Sequence, residues 1–263
     1  MYWRMIIISF TIIVLDAVMT YQRNHIWKDD LILWTDVSKK SPAKVRMHSN
    51  LGVAYIDRGM LGEAIAECTK ALVLNPEHAE AHINLGVAYA RKGMLDESIS
   101  ENKKALAINS NSAEVHTNLG VAYYRKDRLD EAIAEYKRAL AINPTYAKAY
   151  DRLGVAYYHK GMLDEAISAH RKALAVDSSS AEAHSNLGGA YHAKGMVDEA
   201  IAEYKKALAI NPRFAGAHNN LGLAYHKKGM KEEAISEFKE ALTINPDFKR
   251  AQSNLTWLYA TSR

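Results

Sequence analysis

The prolines and most of the glycines in this chain follow one fixed interval of 34 residues. Successive prolines are separated by 34, 68, 68 and 34 residues, and eleven of the fourteen glycines fall on two positions of the same period. The prolines are Pro42, Pro76, Pro144, Pro212 and Pro246. A period of this length indicates an array of supersecondary repeats, so the chain length is not a guide to the number of ordinary domains.

Counting from Val45 gives six complete units that share one pattern of small and apolar residues. The units are 45–78, 79–112, 113–146, 147–180, 181–214 and 215–248. Position 7 is leucine, position 8 glycine and position 11 tyrosine in every unit. Together with position 4 these have the spacing of one helix face, which predicts a first helix, A. Glycine in a helix costs about 1 kcal/mol relative to alanine, so position 8 predicts a close contact with a neighbouring helix.

A second helix, B, is predicted in the other half of each unit. Position 15 is glycine in five units and Asp127 in the sixth, which predicts a left-handed turn between the two helices. Small residues at positions 20 and 27 and leucine at 28 follow, and Asn-Pro ends most units. Ser110 and Ser178 replace proline, which predicts less sharply ended helices in those two units.

These features resemble the tetratricopeptide repeat, whose pattern places W-x2-L-G-x2-Y in helix A, small residues in helix B and proline at the end. The resemblance covers six units of 34 residues, 204 of the 263 in the chain. It implies an all-α fold, a right-handed α-solenoid of helix hairpins in which the A helices line a concave groove. Residues 249–263 continue the register of helix A, so we predict a C-terminal capping helix there.

The first 22 residues are predicted to be a membrane anchor. Met5–Met19 is apolar apart from Ser9, Thr11 and Asp16, but fifteen helical residues reach only about 22 Å of the ~30 Å hydrocarbon layer. Extending the segment to Tyr2–Tyr21 gives twenty residues with aromatic side chains at both ends. A single-pass anchor is the favoured interpretation, and a cleaved signal peptide or an ordinary buried helix remains an alternative.

Residues 23–44 are predicted to be a linker followed by a partial repeat, its helix B over Asp29–Pro42. This region resembles the junction between the last span and the repeats in multi-span O-mannosyltransferase-like membrane proteins. The residues that carry the resemblance are Thr20, Arg23, Asn24, Trp27, Leu33, Trp34, Ser41 and Pro42. It implies repeats on the exoplasmic or periplasmic side of the membrane, and carries over no transferase activity.

One polar stripe along the A helices is not explained by packing. At 100° per residue, positions 2, 6, 9 and 13 cluster on the face away from positions 4, 7, 8 and 11. Position 6 is occupied by Asn50, Asn84, Asn118, Arg152, Asn186, Asn220 and, in the final half-unit, Asn254. Asparagine is a poor helix former, yet its amide can pair with both the N–H and the C=O of an extended peptide. The stripe resembles the asparagine ladder of O-linked N-acetylglucosamine transferases, which implies peptide binding; copying of asparagine by recent duplication is the alternative.

Two other groups of residues on this face are candidate contacts. Asn118, Lys148 and Arg152 resemble three of the five members of the dicarboxylate clamp in chaperone-binding repeats, which implies capture of a carboxylate. Ile83 and Val87 occupy the other two positions, so a simpler local anion site is favoured over a complete clamp. Tyr124 and Tyr158 are predicted to add aromatic contacts at the edge of the groove.

The remaining residues predict neither catalysis nor cofactor binding. Five histidines occupy position 4 of the packing face, where equivalent positions of successive units are too far apart to share a metal ion, so a structural role is predicted. They are His48, His82, His116, His184 and His218. Acidic residues begin helix B and basic residues end it, as the helix dipole favours. The basic residues do not gather into a groove, so the sequence does not predict nucleic-acid binding.

The sequence thus predicts a membrane-tethered, non-enzymatic scaffold that binds extended peptide segments of other proteins. Two other interpretations stay open. One is a non-catalytic substrate-docking tail of a membrane glycosyltransferase, separately encoded or truncated. The other is a purely structural oligomerisation module; the sequence leaves the oligomeric state open.

Overall fold

The structure is a computed structural model that describes residues 29–41 and 43–260. In these residues the chain is all-α, with fourteen helices and no strand, and it divides into two compact units. The first unit, within Met1–Asn111, holds α1 (Asp30–Lys40), α2 (Val45–Asp57), α3 (Leu61–Leu74), α4 (Ala79–Lys92) and α5 (Leu95–Ile108). The second unit, within Ser112–Arg263, holds α6 (Ala113–Arg125), α7 (Leu129–Ile142), α8 (Ala147–His159), α9 (Leu163–Val176), α10 (Ala181–Ala193), α11 (Val197–Ile210), α12 (Ala215–Lys227), α13 (Lys231–Ile244) and α14 (Lys249–Ala260).

Each unit is a stack of antiparallel helix hairpins. In the first, α2 pairs with α3 and α4 with α5, while α1 packs against α2. In the second, α6 pairs with α7, α8 with α9, α10 with α11 and α12 with α13, and α14 packs against α13. Successive A helices also contact each other within a unit. In the first unit α2 contacts α4, and in the second each of α6, α8, α10 and α12 contacts the next A helix, ending with α14. Within each of these two units, each hairpin therefore buries its apolar side on the next one, as repeat stacking requires.

The predicted anchor over residues 1–22 lies outside the described residues. Within residues 29–41 and 43–260, no helix is both long enough and apolar enough to cross a membrane.

The turn inside each hairpin has the predicted left-handed residue. Gly93 has a φ of 88°, and Asp127, which replaces glycine, has a φ of 58°. The following N–H closes the helix end in both cases, from Met94 to the Tyr89 carbonyl and from Arg128 to the Tyr123 carbonyl, each at 2.9 Å. Asp127 thus maintains the same turn as glycine because aspartate enters this backbone region more readily than most residues.

Position-8 glycine lies against position 24 of helix B in its own hairpin. A Cβ at Gly120 would lie 2.4 Å from Cε1 of Tyr136, which is itself only 1% exposed. At Gly52 the same Cβ would lie 2.5 Å from Sγ of Cys68. Burial, with the nearby Glu67 carboxylate, raises the pKa of the Cys68 thiol to about 12. The predicted close contact is confirmed, and the approaching helix is the hairpin's own B helix.

The B helices end in the same way whether or not proline follows. Position 31 is Asn or Asp in each of the six repeats. Its side chain accepts a hydrogen bond from the backbone N–H two residues further along the chain, at 3.0–3.2 Å. Asp177, which precedes Ser178, accepts from Ser179 N–H at 3.0 Å and Oγ at 2.7 Å. The prediction of less sharply ended helices at Ser110 and Ser178 is therefore wrong, because this side-chain turn closes the end without proline.

Candidate functional site

In the first unit, position-6 asparagine connects neighbouring A helices. Asn50 on α2 and Asn84 on α4 are both half-buried. The Nδ2 group of Asn84 donates to Oγ of Ser49 at 3.0 Å, and Ser49 is buried at position 5 of the preceding repeat. The amide is therefore held in one orientation by a hydrogen bond between repeats.

The second unit repeats this link with other acceptors. Asn186 Nδ2 donates to both carboxylate oxygens of Asp151, at 3.1 and 3.3 Å. Asn254 Nδ2 donates to Asn219 Oδ1 at 2.9 Å, and Asn219 in turn donates to Asn220 Oδ1 at 3.3 Å. Within the described residues, the buried Nδ2 of Asn118 has no hydrogen-bond partner. Position 6 thus has a structural role that the sequence analysis missed.

The signal for this role was present at position 5. Polar side chains recur there although the position is buried, and a polar group buried in a packed face needs a hydrogen-bond partner. The residues are Ser49, Thr117, Asp151, Ser185 and Asn219, each no more than 9% exposed.

Histidine at position 4 pairs with glutamate at position 23 of the same hairpin. His82 Nδ1 lies 2.5 Å from Glu101 Oε2, and its Nε2 lies 2.9 Å from the Pro76 carbonyl oxygen. Four more pairs of this kind have Nδ1–Oε2 distances of 2.6 Å: His48–Glu67, His116–Glu135, His184–Glu203 and His218–Glu237. These histidines link helices A and B, the structural role that was predicted. In the described part of the chain, no group of three or more metal-ligating side chains comes together.

In the repeat 147–180 a different pair takes the place of this one, and it lies one residue further along each helix. Tyr150 and Ala169 occupy positions 4 and 23, while Asp151 and His170 lie at positions 5 and 24. His170 Nδ1 is 2.9 Å from Asp151 Oδ1, and both residues are buried. Burial alone raises the pKa of Asp151, but the His170 and Asn186 hydrogen bonds and the nearby positive charges outweigh it and lower the pKa.

The second unit contains a cavity of about 390 Å³ on its A-helix face. Position-6 residues Asn186 and Asn220 line it, together with position-9 residues of three successive A helices, Val155, Gly189 and Leu223. The rest of the lining is Tyr158, His159, His170, Ser185, His192, Tyr204 and Arg250. The A-helix positions 2, 6, 9 and 13 therefore do meet on one surface here, with positions 5 and 12 and position 24 of the B helices as further contributors.

Of the other predicted contacts, Tyr158 lines this cavity and the rest do not. Tyr124 and Tyr158 each contact the His159 ring edge-on, with centroids 5.4 and 5.7 Å apart. Lys148 is exposed on α8, and Arg152 Nη2 lies 3.7 Å from the Glu182 carboxylate. Arg152 thus already has an acidic neighbour, which would compete with a bound carboxylate at the proposed clamp.

Two family models match the repeats. The model described as TPR repeat matches residues 52–93, 91–127, 123–161, 156–195 and 190–229, and the model described as Tetratricopeptide repeat matches residues 215–248. Together they cover residues 52–248, which is 197 of the 263 residues. No curated protein sequence matches the chain.

Solved structures share the fold. The APC/C hetero-tetramer Cut9–Hcn1 matches with a TM-score of 0.78 at 23% identity over 88% of this chain, which spans about half (46%) of that one. YrrB, described as a TPR protein with an unusual peptide-binding site, has a TM-score of 0.55 at 25% identity, over 71% of this chain and 96% of YrrB. MamA has a TM-score of 0.56 at 34% identity, over 64% of this chain and 97% of MamA.

Proposed function

The chain belongs to the tetratricopeptide repeat family, and from this membership we propose that it is a non-catalytic scaffold that binds extended segments of other proteins on its A-helix face. The observation that carries the proposal is the amide at position 6, which recurs half-buried at one place on successive A helices. The similarity to YrrB, described as having a peptide-binding site, supports the same class of ligand.

The amides that link repeats are suited to a peptide backbone because they are already oriented. Asn84 and Asn186 each use one N–H on the preceding repeat, which leaves the carbonyl oxygen and the second N–H for a ligand. Side chains that are ordered before binding lose less conformational entropy when the ligand arrives, so they contribute more to affinity.

We expect the triple variant Asn84→Ala, Asn118→Ala and Asn220→Ala to bind peptides at least about tenfold more weakly. Each hydrogen bond contributes about 0.5–1.5 kcal/mol, and about 1.4 kcal/mol corresponds to a factor of ten. Asn186 is left in place because its loss would also remove a hydrogen bond from the buried carboxylate of Asp151. The measurement is fluorescence anisotropy with peptides selected on the wild-type chain from an array of extended sequences.

Ser49→Ala is the matched control, because it removes the hydrogen bond that Asn84 makes between repeats but leaves the amide itself on the surface. Its affinity should fall by no more than about threefold, because the amide remains available to the ligand and only its fixed orientation is lost. Circular dichroism should show the same helicity for all three proteins. Equal affinity of the triple variant and the wild type would contradict the proposal.

We also propose that residues 1–22 tether the scaffold to a membrane in a single pass, with the repeats on the exoplasmic or periplasmic side. The support is the apolar stretch Met5–Met19 with aromatic residues at both ends. We expect Ile12→Arg to release the full chain from membranes into the alkaline-soluble fraction, because a charge at the centre of a span costs about 2.5–3.5 kcal/mol or more.

Val73→Arg provides a matched control for the anchor, since Val73 lies on α3 and is 78% exposed. This variant should stay with the membrane fraction as the wild type does. Protease protection in sealed membranes would report the side on which the repeats lie. If mass spectrometry of the intact protein shows that the N-terminal residues have been removed, this would favour a cleaved signal peptide and contradict the tether.

A further inference from the structure

The cavity in the second unit includes a place where one repeat has no side chain at position 9. The other repeats have Val53, Val87, Val121, Val155 and Leu223 at this position, and the repeat 181–214 has Gly189. A Cβ built at Gly189 would meet only the Tyr204 hydroxyl, at 3.9 Å. The space above this glycine is therefore open, unlike the space at Gly188, where a Cβ would lie 2.8 Å from the Tyr204 ring.

Aromatic side chains form much of the cavity wall. Tyr158, His159, His192 and Tyr204 supply rings from three helices, and Val155 and Leu223 add aliphatic surface. The edge-on contacts of Tyr124 and Tyr158 with His159 extend this aromatic surface beyond the cavity. None of the lining residues is acidic. Such walls favour a planar ring, since edge-on and offset aromatic pairs contribute about 0.5–1.5 kcal/mol beyond area burial.

The polar groups of the wall are mostly uncharged. His192 Nε2 is buried and has no hydrogen-bond partner among the described residues. Burial first, and then the charge of Lys227, lower the pKa of His192, so its ring is neutral at pH 7. Burial also raises the pKa of the Tyr204 hydroxyl, which keeps its proton. The Tyr204 hydroxyl borders the open space above Gly189, 3.9 Å from the Cβ position, and a ligand hydroxyl can pair with it because each group both donates and accepts.

We propose that this cavity takes the side chain of a tyrosine in the bound peptide, with the ring between the aromatic walls and the hydroxyl hydrogen-bonded to the hydroxyl of Tyr204. A volume of about 390 Å³ accommodates one ring and not a folded segment. The inference rests on the proposed peptide-binding function for its biological ligand, since Asn186 and Asn220 at the rim would hold the backbone on either side. The chemistry of the cavity itself can be tested without a peptide.

The direct test titrates the full chain with three small probes and follows backbone amides by NMR. We expect p-cresol, which carries the ring and hydroxyl of tyrosine, to shift the amides of Gly189 and His192 saturably. Toluene should bind at least about threefold more weakly, because it has no hydroxyl to pair with that of Tyr204. Acetate should leave these amides unchanged. Saturable acetate shifts without p-cresol shifts would overturn the proposal in favour of an anion site at Arg250, and so would the absence of any p-cresol shift.

Gly189→Val places in the cavity the side chain that four other repeats have at position 9, and we expect it to weaken p-cresol binding at least about tenfold. Gly62→Val is the matched control, because Gly62 is exposed on α3 and a Cβ there meets nothing within 4 Å. It should bind p-cresol as the wild type does. Unchanged p-cresol affinity of Gly189→Val, with thermal unfolding showing a folded protein, would overturn the proposal.

The two proposals fail separately. If the triple asparagine-to-alanine variant keeps wild-type peptide affinity but p-cresol still binds at Gly189, the proposed role of the position-6 amides is wrong and the proposed tyrosine cavity stands. If peptides bind through the amides and p-cresol shifts no amide at Gly189, the ring site is wrong and the scaffold function stands.

Discussion

We expect Asp151→Ala to lower the free energy of unfolding of the full chain by about 1–3 kcal/mol, the usual effect of leaving buried hydrogen-bonding groups without their partner. Asp151 accepts hydrogen bonds from Asn186 and lies 2.9 Å from the imidazole of His170, which is 1% exposed. Without the carboxylate, His170 has lost its partner and cannot reach water. Urea denaturation at pH 7, followed by circular dichroism, measures the change.

Asp130→Ala is the matched control for this prediction. Asp130 forms an ion pair with Lys160 of the next repeat, but its side chain is 77% exposed. Exposed pairs contribute about 0–1 kcal/mol, so this variant should lose little stability. If Asp151→Ala lowered the free energy of unfolding no more than Asp130→Ala does, the Asp151–His170 pair would not stabilise the second unit.

The same pair predicts a steeper loss of stability in acid. The pKa of Asp151 lies below its ordinary value in the folded chain because its hydrogen bonds and nearby positive charges outweigh burial. A carboxyl with a depressed folded pKa stabilises the fold above the unfolded value of about 3.9, and that contribution is lost as pH falls through the folded pKa. We expect the unfolding free energy of the wild type to fall more steeply below about pH 4 than that of Asp151→Asn. Parallel curves would contradict this.

This pair also shows where sequence reasoning ends. A 34-residue period predicted the helices, the turn and the close contact at position 8, because each depends on residues within one hairpin. The unit 147–180 has Tyr150 where most units have histidine, and taken alone this looks like loss of a contact. Only the packing of helix A on helix B shows that Asp151 and His170, nineteen residues apart, restore the link one position further along.

The candidate surface was predictable in part for the same reason. Helical geometry predicted that positions 2, 6, 9 and 13 share a face, and Asn186, Gly189 and Arg250 do line one cavity. The bonds from position 6 to position 5 join residues 35 apart, so they depend on how one repeat stacks on the next. No pattern within a single unit contains that register. The cavity at Gly189 likewise depends on stacking, because its lining residues come from several successive repeats.

The second large effect is expected at the helix contact inside the hairpin. We expect the overpacking caused by Gly120→Ala to cost about 1–3 kcal/mol in the free energy of unfolding, the usual range for a core. The new methyl would lie 2.4–2.9 Å from three atoms of the Tyr136 ring, which is fully buried and has nowhere to move. This loss should exceed the gain of about 1 kcal/mol in helix propensity that alanine brings. Denaturation of the full chain in urea measures the net change.

Gly62→Ala separates propensity from packing, because it brings the same methyl to a helix at a place where nothing lies within 4 Å. It should raise stability by up to about 1 kcal/mol, so the two alanine variants are expected to differ in sign. A double-mutant cycle completes the test: Tyr136→Ala removes the ring, and the Gly120 substitution should then cost less by 0.5 kcal/mol or more, the size of coupling seen between residues in contact. Additive effects would mean that Gly120 is required for a reason other than the approach of Tyr136.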